Sequence, residues 1–438
     1  MATLKACSFT KRRIVNISTE LIAFGVFIVG YIIIVSEHKW YIHKAITAVA
    51  LGAVLWLLIA LRDGKATEPA TLILGGEIFG LVIFLLAAMT LVEILIHYGF
   101  FDLIRVKLLA LHLDNKAQIW VTAFLAFFLS AVIDNLTATI VMTQIALRFY
   151  SGKNLLTAAA AIIIAANAGG AFSPVGDITT IMLWLAGKFS SLEIIIQGFL
   201  PSLSMFLVSI FFLSRNIVSD AGHIEEEKVS LLRSEKVVIA ITLISFSFPL
   251  AFSQLGLPPY FGLLFGLGCV GLTVSIFRVS SKSITHLDAS IEKMLVRVDF
   301  ASLLFFAGIL LAVGALEYLG VLERISEALF GEHPAMEQLV FGNAVLGVLS
   351  AIVDNIPLTA AAIDILNTTD TSIWALLALT VGTGGSLLVI GSAAGIVAMG
   401  MVKELTFFRY IKLATIPAAL GYFAAIAVWY IQHSLFFS

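Results

Sequence analysis

The chain has 438 residues, 60% of them hydrophobic and 12% charged, with a formal net charge of −2. A water-soluble domain carries about a quarter charged residues, and one soluble core could not hide this much apolar surface. The chain therefore reads as an integral membrane protein. Lys and Arg fall in short clusters between apolar runs, which gives no basis for a nucleic-acid partner, and Cys7 and Cys269 form neither a metal nor a disulfide pattern.

Residues 1–16 are a basic tail containing Lys5, Lys11, Arg12 and Arg13. The apolar run that follows is long and lacks a small-residue cleavage site, so it reads as a first span rather than as a signal peptide. A spanning helix needs about 20 apolar residues, and candidates stand at 17–35, 43–61, 75–96, 194–214, 237–252, 259–277, 300–319 and 411–432. Four further stretches, 117–147, 155–186, 338–366 and 373–402, are apolar but broken by Gly, Pro and polar residues. Broken backbone is tolerated at membrane depth only where it is buried in protein or lines a water-filled cavity.

These interruptions recur in pairs. SAVIDNLTAT at 130–139 matches SAIVDNIPLT at 350–359, and NAGGAFSPVGD at 167–177 matches GTGGSLLVIGS at 382–392 through its Gly-Gly pair and later Gly. Glu93 is matched by Glu317, and the separations of 224, 220 and 215 residues keep the features in one order. An internal duplication follows. The first repeat occupies 17–214, with a hairpin tip near 134 and a broken helix near 167–180. A connecting loop takes 215–236, and the second repeat occupies 237–438, with a tip near 354 and a break near 382–392. Five full crossings, a re-entrant hairpin and a broken helix per repeat make the number of crossings odd, so the repeats are expected to be inverted. The fold class expected is an all-α polytopic membrane protein of two inverted repeats. The basic loops at 215–236, 278–299 and 403–412 are placed inside by the positive-inside rule, with both termini outside; the basic tail conflicts with that placement.

Asp134 and Asp354 carry the sharpest signal. A carboxylate at bilayer depth costs about 2.5 kcal/mol or more, and this chain places one there twice, each followed by Asn. In a partly dehydrated pocket such a group can hold either a proton or a hard monovalent cation, and competition between them is the simplest route to exchange. The bland reading is that each Asp caps the helix after a turn, and the two roles are compatible. Asn135 and Asn355 are neutral oxygen donors or turn formers. Ser130 and Ser350 lie one helical turn before each Asp on the same face, as ligands or as bonds back to the helix. Around the first break, Gly169, Gly170, Pro174 and Gly176 interrupt the helix while Asn167, Ser173, Asp177, Thr179 and Thr180 supply oxygens. Ser386 and Ser392 stand at the second break, where Asp177 has no acidic twin. Glu93 and Glu317, late in long spans, are interfacial acids or proton relays.

SAVIDNLTATIVM followed by NAGGAFSPVGDITTIMLW resembles the NhaD-type sodium/proton antiporters of the ion transporter superfamily. The resemblance covers the chain from the first span to about residue 410 and implies a homodimer; a bacterial inner membrane is the default location, with organelle membranes open. It implies Na+ or Li+ and H+ as the small ions moved, and no cofactor. Carried over by position, the cation and proton site would be Asp134, Asn135, Asn167, Asp177, Thr179, Thr180, Ser350, Asp354, Asn355, Ser386 and Ser392, with Na+ among Asp134, Asp177 and Asp354. Ser130, Ser173, Glu93 and Glu317 are further candidates. Two rival readings remain. A carrier of carboxylates or other anions on this fold would want Lys or Arg at the breaks, and acidic tips would repel its substrate. An intramembrane aspartyl protease also pairs two buried aspartates, but Pro174-Val175-Gly176-Asp177 lacks the first Gly of its Gly-x-Gly-Asp motif. Neither rival accounts for the chain as well as a transporter, which is not an enzyme.

Overall fold

A computed structural model describes residues 17–35, 43–110, 113–217, 231–280, 291–324, 335–352, 355–366 and 368–436. The described residues hold no strand. Their helices are α1 (Ile17–Val35), α2 (Lys44–Asp63), α3 (Glu68–His97), α4 (Phe100–Leu109), α5 (Asn115–Ser130), α6 (Asn135–Phe149), α7 (Gly152–Ala171), α8 (Ile178–Leu185), α9 (Ser191–Ser214) and α10 (Arg233–Ser245). They continue as α11 (Phe248–Gln254), α12 (Pro259–Ser280), α13 (Ile291–Leu295), α14 (Phe300–Tyr318), α15 (Met336–Leu349), α16 (Asn355–Ile365), α17 (Thr371–Gly384), α18 (Ala393–Met401), α19 (Phe407–Tyr410) and α20 (Ile416–Phe436).

Seven of the described helical stretches are long and apolar enough to cross a membrane. Side chains such as Leu61, Leu72, Phe341 and Phe423 are exposed on their outer faces, the pattern expected of helices solvated by hydrocarbon. Each of the four broken stretches becomes two helices around a turn: α5–α6, α7–α8, α15–α16 and α17–α18. Short polar side chains start them. Asp114 accepts from the Ala117 amide at α5, Asp370 from the Ser372 amide at α17, and Ser190 with Glu193 forms a capping box at α9.

Three elements depart from the sequence expectation. The span at 237–252 divides into α10 and α11 around Phe246–Ser247, where Pro249 supplies no N–H to continue the ladder. The loop expected between the third span and the first hairpin contains α4, whose Gly99 start lies at φ 69°. The last span begins earlier, through α19 and a π-helical turn at Ile411–Thr415 just before Pro417.

The core lies along α7 and α17. Every residue from Thr157 to Ala171 and from Ser372 to Gly384 is buried. Around this pair the last long helices, α9 and α20, pack together through Ser209 Oγ, which donates to the Pro417 carbonyl at 3.1 Å, and Gln432 Nε2, which donates to the Ile196 carbonyl at 3.0 Å. On the flank α2 meets α14, where Trp56 Nε1 donates to the Leu311 carbonyl at 2.9 Å and Gly52 and Gly308 let the backbones approach. Small residues at such a crossing are how helices gain packing inside a bilayer, where no hydrophobic drive separates helix from lipid.

Candidate functional site at the broken helices

The same backbone construction appears at both breaks. A methyl group on Gly169 of α7 would collide with the Phe127 carbonyl of α5, and one on Gly384 of α17 would collide with the Gly347 carbonyl of α15. Gly176 lies in the same way against the Ser130 carbonyl, and Gly391 against that of Ser350. Ser130 Oγ donates to the Ala166 carbonyl at 2.6 Å, and Ser350 Oγ donates to the Val381 carbonyl at 2.8 Å. These two serines spend their hydroxyl hydrogens fastening each first arm to the helix that then breaks.

The turns bring the first-half polar groups to one place. Asp134 caps α6: its Oδ1 accepts from the Thr137 amide at 2.8 Å and its Oδ2 from Thr137 Oγ1 at 2.6 Å. Its carboxyl group also lines a cavity of about 30 Å3 walled by apolar side chains, among them Phe84, Met89, Val175 and Phe306. That volume is enough for a water molecule. The Asn135 amide N–H donates to the Gly176 carbonyl at 3.0 Å, tying the hairpin turn to the break. Asp177 caps α8, accepting from the Thr179 amide at 3.3 Å, while Thr180 Oγ1 donates to the Gly170 carbonyl at 3.4 Å and Ser173 Oγ to the Ala131 carbonyl at 2.5 Å.

Asn167 joins the two halves. Its Oδ1 accepts from Asn135 Nδ2 at 3.1 Å, and its Nδ2 donates to Ser386 Oγ at 2.9 Å and Ser392 Oγ at 3.1 Å. All four side chains are buried. Ser392 in turn caps α18, accepting from the Gly395 amide at 3.2 Å. On the other side of the junction Asp177 Oδ2 lies against Gly382 of α17. Sequence reasoning missed Gly382, Tyr410 and Thr415. Tyr410 OH donates to the Ser386 carbonyl at 2.7 Å, and Thr415 Oγ1, within the π turn, to the Leu387 carbonyl at 2.8 Å, so an irregular turn supports the irregular backbone of the second break.

Other candidates stand apart from this network. Asp354 lies outside the described residues, so only its neighbour Asn355, the buried first residue of α16, can be placed. Glu93 on α3 is half-buried and faces the charge of Arg297, and Glu317 on α14 is exposed and lies beside Asp364 of α16. Among the described residues, no three His, Cys, Asp or Glu side chains converge as a metal-binding group. The junction is instead a mixture of neutral oxygens and capping carboxylates.

Replacing Asn167 with Ala strands the Asn135 amide and the Ser386 hydroxyl in a buried site and leaves Ser392 only its bond from the Gly395 amide. Each stranded group costs on the order of 1–3 kcal/mol. The Asn167→Ala protein is therefore expected to melt well below the wild type in detergent, while Lys116→Ala, exposed at the start of α5, changes little. Equal melting temperatures for the two variants would show that the junction is not held by this amide.

Comparison with known proteins places this arrangement. The family model for citrate transporters (CitMHS) matches residues 31–384. The chain is 36% identical over 430 residues to sodium/proton antiporter 1 of Arabidopsis thaliana, covering 93% of this chain and 72% of that protein. It is 32% identical over 447 residues to the Na(+)/H(+) antiporter NhaD of Alkalimonas amylolytica, covering 94% and 91%. The chain belongs to the family of NhaD-type sodium/proton antiporters. Like the other NhaD-type proteins it is a membrane transporter and not an enzyme, which removes the protease reading. The crystal structure of the Alcanivorax borkumensis YdaH transporter matches the NhaD-type fold seen here with a TM-score of 0.57 over 96% of this chain and 99% of that one, at 14% identity.

Proposed function

We propose that this chain exchanges Na+ or Li+ for H+ across a membrane, cation and proton competing for the carboxylates of Asp134, Asp177 and Asp354. The observation that carries the reading is the junction itself: two aspartates cap helices that start inside the protein, beside buried neutral oxygens from both halves. Oxygen donors of this kind suit hard cations. The carboxylate-carrier reading is disfavoured by where the nearby cations go. Lys188 donates to the Ile363 carbonyl at 3.2 Å and sits over the Trp374 ring at 4.2 Å, and Arg148 lies at the far end of α6. Among the described residues, the hydrogen bonds of the Asn167 network are with Asn135, Ser386 and Ser392 and none is with a basic side chain.

The repeats at 17–214 and 237–438 form, in this reading, the inverted halves that give access from either side. The matched fastenings of Ser130 and Ser350 and the matched close approaches of Gly169 and Gly384 support it. The bacterial relatives support a bacterial inner membrane as its location, and the length of apolar surface left on the outer helices leaves room for a homodimer.

The test is linkage between pH and cation affinity. A carboxyl group that holds a proton cannot hold the cation, so apparent Na+ affinity must weaken as pH falls through the site's titration range. It must level off above that range. One proton displaced per cation gives about a tenfold rise in half-maximal Na+ per pH unit on the acid side, and two protons give about a hundredfold. We expect that slope in proteoliposomes assayed at four pH values with a proton-reporting dye. A half-maximal Na+ concentration independent of pH would refute shared carboxylates, and proton flux driven only by an organic anion would favour the carrier.

A further inference from the structure

We propose that Gly382 sets the size of the cation that this protein selects, an inference that rests on the cation-exchange reading of the junction. The two breaks are related by a constant separation of 215 residues, which pairs Gly169 with Gly384, Gly176 with Gly391, Asp177 with Ser392 and Asn167 with Gly382. Each half meets the other through these last two pairs. On one side the Asn167 amide of α7 donates to Ser392 Oγ at 3.1 Å across the junction, filling the space between the two breaks. On the other side the matching residue of α17 has no side chain. A Cβ built on Gly382 stands 3.0 Å from Asp177 Oδ2 and 3.6 Å from Thr179 Oγ1. Where one side has an amide against a hydroxyl, the other has only a narrow gap between a glycine and a carboxylate, one that a methyl group would overfill.

That position is deep in the protein: Asp177 is 1% exposed and Thr179 is fully buried. Thr179 Oγ1, which faces the gap, has no hydrogen-bond partner. A buried hydroxyl without a partner needs an explanation, and an ion that the hydroxyl helps to coordinate supplies one. The nearest atoms are a carboxylate oxygen, a hydroxyl oxygen and the methyl carbon of Ala171, so the donors at hand are oxygens. This chemistry fits a hard monovalent cation. The opposite wall of the gap is the Cα of Gly382, in the last turn of α17, which is buried from Ser372 to Gly384. That wall cannot retreat, so the volume of the side chain at 382 limits how large an ion fits beside Asp177 and Thr179.

Two variants test this with opposite signs. Gly382→Ala adds a methyl group to the wall, and Thr179→Ser removes the methyl group of a facing residue while keeping its hydroxyl. The readout is the ratio of half-maximal Li+ to half-maximal Na+ for proton movement, measured in one preparation of proteoliposomes for each protein. A ratio is independent of how much protein is active, so a packing defect alone does not move it. Gly382→Ala is expected to shift the ratio by about tenfold in favour of Li+, the smaller ion, the low end of what one methyl group does in a close-fitting site. Thr179→Ser is expected to shift it towards Na+ and to raise the response to K+. If Gly382→Ala fails to yield a monodisperse protein, the sign of the Thr179→Ser shift decides. Ratios at the wild-type value in Thr179→Ser, and in Gly382→Ala where it folds, overturn the proposal and leave cation exchange standing. Wild-type vesicles that move protons with neither cation overturn the exchange reading, and the size rule with it.

Discussion

Asp134→Asn and Asp177→Asn are each expected to abolish cation-driven proton movement while leaving a folded, inserted protein. Asparagine is as good a helix cap as aspartate, so the Thr137 amide at residue 134 and the Thr179 amide at residue 177 keep an acceptor oxygen, while the Thr137 hydroxyl exchanges its carboxylate acceptor for an amide NH2 from which it can accept. What the substitution removes is the charge and the titratable proton. Asp134 borders an apolar cavity and Asp177 is 1% exposed, so a cation held there loses a partner that water cannot replace. Breaking a buried charge pair costs on the order of 3–5 kcal/mol, or about a hundredfold to several thousandfold in affinity. Caps elsewhere provide the control. Asp114 caps α5 through the Ala117 amide at 3.1 Å on an exposed turn, and Asp114→Asn is expected to transport normally. The comparison is made by dye-reported proton flux in proteoliposomes, with melting temperatures checked in parallel. Wild-type rates in both Asp134→Asn and Asp177→Asn would make the aspartates structural caps and remove the basis of the proposed exchange.

Much of this architecture is legible in the sequence because a bilayer makes two demands that composition records directly. Spans must be long and apolar, and so the first is read at 17–35, where the helix runs Ile17–Val35, and another at 300–319, where it runs Phe300–Tyr318. Breaks need Gly, Pro and capping oxygens, which point to a tip near 134 and a break within 167–180, where the helices part at 131–134 and 172–177. Less legible is where a backbone departs from regular helix within an apolar run. The π turn at Ile411–Thr415 and the division at Phe246–Ser247 carry only one nearby proline each as a signal. The helix at Phe100–Leu109 has three charged residues in ten and was read as loop on that account.

The site divides along a different line. Which residues take part is a local matter, but which residues they meet is not. Ser130 and Ser350 share a helical face with the aspartates and read as ligands or as bonds back to their own helix. Their hydroxyls instead donate to carbonyls of a different helix, 36 and 31 residues on. The partners of Asn167 at Ser386 and Ser392 lie 219 and 225 residues away, and no spacing rule links them. Gly382 was passed over because a glycine has no donor atoms to count. Its meaning comes from the register of the repeat, which sets it opposite Asn167, and from the carboxylate that the structure places in front of it. An absent side chain is informative only when its symmetry mate is present.

Gly169→Ala and Gly384→Ala are expected to prevent accumulation of folded protein, and to do so to the same extent. Alanine in place of glycine inside a helix ordinarily stabilises by about 0.5–1 kcal/mol, because it removes freedom from the unfolded chain. Gly75 and Gly76 on α3, with open space where a Cβ would stand, should show that gain. At Gly169 the new methyl group falls on the backbone carbonyl of Phe127, and at Gly384 on that of Gly347. A carbonyl in a helix cannot rotate away as a side chain can, so α7 must part from α5, or α17 from α15. Parting stretches the Ser130 bond to Ala166 and the Ser350 bond to Val381, each of which lies one turn from its contact. Overpacking a close-packed contact costs about 1–3 kcal/mol even where the surroundings adjust. Here the surroundings are the most buried helices of the fold and both breaks depend on their position, so a cost beyond that range is expected. Size-exclusion profiles and melting temperatures of the four variants measure it. A folded Gly169→Ala protein that melts with the wild type would show that α5 and α7 are not in backbone contact. Loss at Gly169 with full tolerance at Gly384 would show that the two breaks are not built alike, against the matched halves from which both the exchange mechanism and the role of Gly382 are argued.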